Sequence, residues 1–323
     1  MTERLQSFVA GVGAEVEAAL RSHLPLSPLP AAERLNDALR YALFPGGKRL
    51  RPVLSLLASA LVGVPRAEAL TVACAVEFLH GSSLIIDDLP CMDDADLRRN
   101  RRTLHLVYGE GTAMLAALAL LNQSYALLAR AARSCGRAGA AHALVSEAAR
   151  AVGAEGMIGG QALDLELRAG CADADALAGR DLKTAALTRL MMTAGALARG
   201  AEEEDARALR EFGECFGRAY QVCDDLLDGG RDAHLSGKTA GQDARHGRAN
   251  AVEVLGARGA RRTACELIER GVEALGARFG RRAEAQLLTD AARRVVERPP
   301  GERAPENFPP PAPARGETAS AGD

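Results

Sequence analysis

Two stretches of this sequence end an apolar run in acid. In "VACAVEFLHGSSLIIDDLPCMDDADLRRNRR", residues 72 to 102, apolar residues give way to Asp87, Asp88, Asp93, Asp94 and Asp96, then to Arg98, Arg99, Arg101 and Arg102. In "YQVCDDLLD", residues 220 to 228, Asp224 and Asp228 stand four apart and share one face of a helix. Carboxylates at a helix C-terminus meet the negative end of the macrodipole and cost about 0.3–1 kcal/mol each, so a positive partner is expected beside them. Pro90 disfavours helical geometry at Leu89, so the first helix should break and the chain bulge before Asp93 and Asp94 return to the same mouth. One such cluster would also suit a solvated acidic loop. Two of them, sparse and without Cys or His, suit Mg²⁺, which takes oxygen ligands and is held by one or two carboxylates plus substrate phosphates.

Cations able to hold a phosphorylated ligand accompany both clusters. "FPGGKRLRP" places Lys48, Arg49 and Arg51 around a helix start, where free backbone N–H groups also favour an anion. The arginines of "LRRNRR" follow the first acidic cluster directly, and arginine grips phosphate through two parallel hydrogen bonds. Any one of these basic groups alone reads as solvated surface. Their order around two metal-type clusters favours a diphosphate site.

The elements that must position these residues are helices. Ala, Leu, Arg and Glu dominate the 323 residues, aromatics make up 3%, and apolar residues recur at helical spacing. Helices are predicted over 2–22, 31–43, 48–63, 67–88, 111–134, 138–154, 174–200, 205–228, 247–278 and 281–296, with no strands. The fold class is therefore all-α: one helical domain over 1–297, then a Pro/Gly/Ala-rich tail over 298–323 that lacks periodicity and is expected to be disordered. "TAMLAALALLNQSYALLA", residues 112 to 129, is apolar nearly all round and should be covered on every side, by its own bundle or by a partner subunit. A net charge of −2 argues against a nucleic-acid partner. Seven scattered cysteines without a Cys-x-x-Cys pair fit reduced thiols in a cytoplasmic protein. No run reaches the roughly 18 apolar residues of a membrane span, so stable membrane insertion is not expected, and the start lacks the pattern of a signal peptide.

From about Asp37 to Val252 the sequence resembles the trans-isoprenyl diphosphate synthases, which elongate prenyl chains. "GGKRLRP", "DDLPCMDDADLRR", "MIGGQALDLE", "KT", "YQVCDDLLD" and "GKTAGQD" look like that family's blocks, in family order. The resemblance implies an isoprenoid-synthase-type helical bundle around a central apolar cleft. It also implies condensation of isopentenyl diphosphate with an allylic diphosphate, with Mg²⁺ as cofactor and a homodimer as the usual assembly. It implies metal ligation by Asp87, Asp93 and Asp224, with Asp88 and Asp228 supporting or ligating. Arg98, Lys183 and Lys238 would hold the allylic diphosphate, and Lys48, Arg51, His80 and Arg99 the isopentenyl diphosphate. Thr184 and Gln221 fall where the family places cation-facing dipoles, and diphosphate itself is the expected proton acceptor.

Some positions stay open. "MIGGQALDLE" also reads as small-residue helix packing followed by an exposed Asp164, and His80 as a core histidine. Ile86 replaces a common family histidine, Leu118 a common aspartate, Asn100 a usual glycine, and Arg102 a usual proline whose loss could loosen the arginine loop. A farnesyl diphosphate synthase, a catalytically weak regulatory subunit and a terpene cyclase therefore remain alternatives. Product length should be read from the helix before Asp87. Ser82, with Ser83 beside it, stands where farnesyl-making relatives often carry an aromatic. Phe78 lies one turn deeper, about 5.4 Å, near the length of one isoprene unit. These residues predict geranylgeranyl diphosphate as the main product.

Overall fold

The computed structural model describes residues 2–44, 47, 49–137, 139–167, 173–228 and 250–297, with the side chains of 174, 175 and 228 set aside. Lys48, Lys238, the Asp228 side chain and the 298–323 tail lie outside the described residues.

The described chain runs α1 (Glu3–His23), a short 3-10 turn (Pro30–Ala32), α2 (Glu33–Leu43), α3 (Leu50–Leu61), α4 (Arg66–Asp87), β1 (Leu97–Arg98), β2 (Arg101–Arg102) and α5 (Leu104–Tyr108). It continues through α6 (Glu110–Ser134), α7 (Ala140–Val152), α8 (Met157–Glu166), α9 (Ala174–Arg180) and α10 (Leu182–Arg199). The last three helices are α11 (Glu203–Asp228), α12 (Ala251–Phe279) and α13 (Ala283–Val296). Side chains start several of them: Thr2 Oγ1 accepts from the Leu5 N–H, Asp173 Oδ1 from Ala176, and Asn250 Oδ1 from Glu253. Gly200, in the left-handed region at φ 61°, ends α10.

Two apolar clusters form the core. One joins Phe78 of α4 to Leu120 and Leu127 of α6 and Leu144 of α7, and the other joins Leu54 of α3 to Phe212 of α11, Leu267 of α12 and Leu288 of α13. Helix α10 divides itself between them, giving Ala186 and Leu190 to the first and Met191 and Met192 to the second. Helix α4 does the same with Phe78 and Val76. A helix apolar on all sides must be enclosed, and here α4 and α10 are the enclosed pair.

Of the two covers expected for segment 112–129, its own bundle supplies only part, since Met114, Leu115 and Leu118 of α6 stand 48%, 58% and 54% exposed. The structure corrects three expectations. Both α4 and α6 are long and apolar enough, by length and composition, to cross a membrane, although most of α4 is enclosed by protein. The helix expected over 174–200 is interrupted at Asp181, which separates α9 from α10. A two-stranded ribbon forms where no strand was predicted, pairing Leu97 with Arg102 and Arg98 with Arg101. Strands of two residues carry no periodicity to read.

Candidate active site

The first acidic block is shaped by backbone hydrogen bonds. Helix α4 stops at Asp87, and the chain then folds back so that the Asp93 N–H donates to the Asp87 carbonyl at 2.9 Å and the Asp94 N–H to that of Leu89 at 3.1 Å. Asp93 is thus returned to the helix end, as Pro90 predicts. Asp87 and Asp88 are both buried, 9% and 4% exposed, and burial pushes both carboxyls above the usual carboxylate range. Each has a cation against it. Lys183 Nζ lies 3.3 Å from Asp87 Oδ1, and Arg98 donates from Nε to both Asp88 oxygens at 2.8 Å, with Nη2 2.6 Å from Oδ1. Burial works against the Lys183 ammonium, but Asp87, Asp164 and Asp93 outweigh it and hold the group charged.

The ribbon aims the arginines. Its turn residues Arg99 and Asn100 both adopt left-handed angles, φ 54° and 60°, as a two-residue hairpin of type I′ requires. Arg98 then reaches Asp88, while the guanidinium of Arg99 passes Gly47 so closely that a Cβ there would lie 3.1 Å from Arg99 Cζ. Arg102 does not leave this loop without form: it pairs in β2, and its carbonyl accepts from the Tyr41 hydroxyl at 2.8 Å. Arg101 stacks over Tyr41, 3.9 Å from the ring centroid, and donates to the Phe44 carbonyl at 3.1 Å.

Beneath the ribbon, His80, Gly81, Leu84, Asp88, Arg98 and Arg99 line a depression between α2 and α4. His80, 8% exposed, is both a buried histidine and a wall of that depression, so its two readings are compatible. Burial depresses the Arg99 guanidinium, and against the pull of Glu77 the like charges of Arg49, Arg51 and Arg98 add to this. Arg51 lies at the start of α3 with its guanidinium 5.8 Å from the Tyr220 ring. Arg49 is not part of this basic face. It is buried and donates to Glu17 at 2.6 Å, Glu77 at 2.7 Å and the Leu43 carbonyl at 2.6 Å, tying α1, α2 and α4 together.

The second block is joined to the first through α10. Lys183 faces Asp87, and its neighbour Thr184 donates from Oγ1 to Gln221 Oε1 of α11 at 2.9 Å, one turn before Asp224. Asp225, beside Asp224, is 2% exposed and turned into the protein, where Arg180 Nη2 donates to it at 2.6 Å. Asp164 was open to a reading as an exposed residue. Its side chain is only 14% exposed and lies 3.7 Å from Lys183 Nζ. Gly160 makes this possible: a Cβ there would fall 2.3 Å from the Lys183 backbone nitrogen, so only glycine lets α8 approach α10 this closely. The sequence signal was the glycine pair four residues before Asp164.

Among the described residues no three acidic, His or Cys side chains converge as a closed metal cage. An open, all-oxygen donor set split between two helix ends instead suits a hard cation completed by substrate phosphates and water. Ser82 is buried and Phe78 fully so, on one face of α4, and Ser83 Oγ donates to the His80 carbonyl at 2.9 Å. That face lies about 100° around the helix from the one lining the depression. Leu118 is exposed on α6 and Ile86 packs against the core, so neither family departure occupies the acidic mouth.

The family model described as "Polyprenyl synthetase" matches residues 32–276. Geranylgeranyl pyrophosphate synthase 6, mitochondrial, of Arabidopsis thaliana is 40% identical over 275 residues, covering 81% of this chain and 81% of the relative. Geranylfarnesyl diphosphate synthase, chloroplastic, of Leucosceptrum canum is 39% identical, covering 74% of this chain and 67% of that protein. Among solved structures, an apo FPP/GFPP synthase from Zymomonas mobilis superposes with a TM-score of 0.79 at 31% identity, covering 92% of this chain and 100% of the other. A geranyltransferase from Helicobacter pylori, complexed with magnesium and isoprenyl diphosphate, does so with a TM-score of 0.74 at 32% identity, covering 92% and 97%.

Proposed function

The chain belongs to the polyprenyl synthetase family, and from that premise we propose that it condenses isopentenyl diphosphate with allylic diphosphates to make chiefly geranylgeranyl diphosphate. The observation that carries the reading is the join between the two acidic helix ends: Lys183 against Asp87 and Thr184 against Gln221, adjacent residues of one helix start.

The residues divide the work between two diphosphates. Arg98 and Lys183 hold the allylic diphosphate, together with Lys238. Arg51, His80 and Arg99, with Lys48, hold the isopentenyl diphosphate on the basic side of α4, where His80 and Arg99 line a depression that also reaches Asp88 and Arg98. Keeping it off Asp87, Asp93 and Asp224 matters because the allylic substrate must ionise and the isopentenyl one must not. Asp87, Asp93 and Asp224 would hold Mg²⁺; Asp88 supports them through Arg98, and Asp228 completes the second block. Bound Mg²⁺ supplies Lewis-acid neutralisation of the departing diphosphate. The oxygens of Thr184 and Gln221 stabilise positive charge on the allyl group as preorganised dipoles. The double bond of isopentenyl diphosphate attacks that carbon, and the proton released passes to the diphosphate just formed.

Product length follows from Ser82, a small side chain where a bulky one would stop the chain at farnesyl, and from Phe78 one turn deeper. The relatives named geranylgeranyl synthases support the same length. The exposed Met114, Leu115 and Leu118 of α6, next to Leu106 and Val107 of α5, support a homodimer built on that face. The test is release of diphosphate from farnesyl diphosphate. It should require isopentenyl diphosphate and stop on chelation, while chelation without substrate leaves the melting temperature unchanged. A melt that collapses on chelation alone would identify a structural metal instead.

A further inference from the structure

Of the two adjacent carboxylates of the second block, Asp224 is half-buried and Asp225 buried. Asp225 is 2% exposed and its Oδ2 accepts from Arg180 Nη2 at 2.6 Å and from the Ala251 N–H at 2.8 Å. Its Oδ1 accepts from Gln221 Nε2 at 3.1 Å. A carboxylate paired with a guanidinium can only accept, so Gln221 must turn its NH₂ toward Asp225 and its carbonyl oxygen away. That oxygen accepts from Thr184 Oγ1 at 2.9 Å. The amide is therefore held in one sense by a charged group on one side and read by a hydroxyl on the other.

We propose that Asp225, braced by Arg180, is a positioning residue that fixes the sense of the Gln221 amide, so that Gln221 and Thr184 present oxygen to the allylic cation. The inference rests on the prenyl-transfer reading above. A glutamine amide is nearly symmetric in shape, and nothing but its hydrogen-bond partners chooses which end faces the reaction. Reversed, it would turn N–H dipoles toward a developing positive charge and oppose the step that the oxygen favours. Asp224 and Asp225 thus have separate tasks, one toward the diphosphate and one toward the amide. Removing Asp225 should slow chemistry without weakening either diphosphate.

The experiment compares wild type with Asp225→Asn, with Arg180→Met/Asp225→Leu, and with Gln221→Glu/Asp225→Asn. For each, the single-turnover rate, KM for both substrates and the melting temperature are measured. The amide introduced by Asp225→Asn accepts or donates with equal ease, so this variant should slow the single turnover at least about tenfold and leave both KM values within about threefold. The apolar pair replaces a buried ion pair by side chains that fill the same space; Arg180 Nη2 also lies 3.4 Å from buried Asp181, so the melting temperature checks that the fold is kept. It should be as slow as Asp225→Asn. A carboxylate in place of the Gln221 amide carries oxygen at both ends and needs no fixed sense, so the third variant should recover rate relative to Asp225→Asn. A wild-type rate in the apolar pair, or no recovery in Gln221→Glu/Asp225→Asn, would overturn the proposal, since Asp225 would then only neutralise Arg180. If the wild type itself condenses nothing, the prenyl-transfer reading fails and takes the inference with it; wild-type condensation beside unslowed variants overturns the inference alone.

Discussion

Buried carboxylates matched by cations govern the residue scale. Arg99 sits in the basic depression with His80, whereas Asp224 belongs to the acidic mouth, so their loss should be felt by different substrates. Arg99→Ala should raise KM for isopentenyl diphosphate about 10- to 100-fold, the range of a charged hydrogen bond, with little change for the allylic primer. Asp224→Ala should instead lower kcat about a hundredfold or more. Steady-state kinetics with each substrate varied in turn checks this, and equal effects on both substrates would remove the division. Asp181 supplies a pH signature. Burial, against the pull of Arg180, pushes its carboxyl up to about 6. An unfolded aspartate titrates near 3.9, so between about pH 4 and 6 the folded state binds more protons and its stability falls as pH rises. Asp181→Asn should raise the melting temperature at pH 7.5, by on the order of 1–3 kcal/mol in stability, and change little at pH 4. An equal change at both pH values would contradict this.

Elements convert local sequence into proximity, and there legibility varies. The long helices could be read because apolar residues recur along them, and the break after Asp87 because Pro90 announces it. Lys183, Thr184 and Gln221 were legible only through resemblance, since no spacing rule links α10 to α11. Asp164 and Asp225 were harder: the first meets Lys183 only because Gly160 lets two helices close together, and the second differs from Asp224 only in which way it faces. The ribbon escaped because its two-residue strands have no period. Gly160→Ala should force α8 from α10 and cost about 1–3 kcal/mol, with a larger fractional loss of activity than of folded protein. On α4, Ser82→Phe should shorten the main product to farnesyl diphosphate, and Phe78→Ala should lengthen it. Chromatographic sizing reads both; an unchanged distribution in both variants would mean that α4 does not set the length.

At the scale of the whole molecule, α4 and α10 are enclosed by the bundle while α6 keeps an apolar stripe at the surface. A second copy packed there would bury it, and Leu115→Arg should shift sedimentation from dimer toward monomer without changing helix content. The same bundle brings the two acidic helix ends to one mouth and sets the basic depression beside it, bordered by Asp88 and Arg98. That arrangement is what a chain-elongating prenyltransferase needs: one diphosphate made to leave, one retained, and a product that can re-enter as substrate. The most direct measurement incubates the purified protein with Mg²⁺, isopentenyl diphosphate and, separately, dimethylallyl, geranyl and farnesyl diphosphate, and sizes what forms. Geranylgeranyl diphosphate should be the main product from every primer; no product longer than the primer in any of the three would contradict the account.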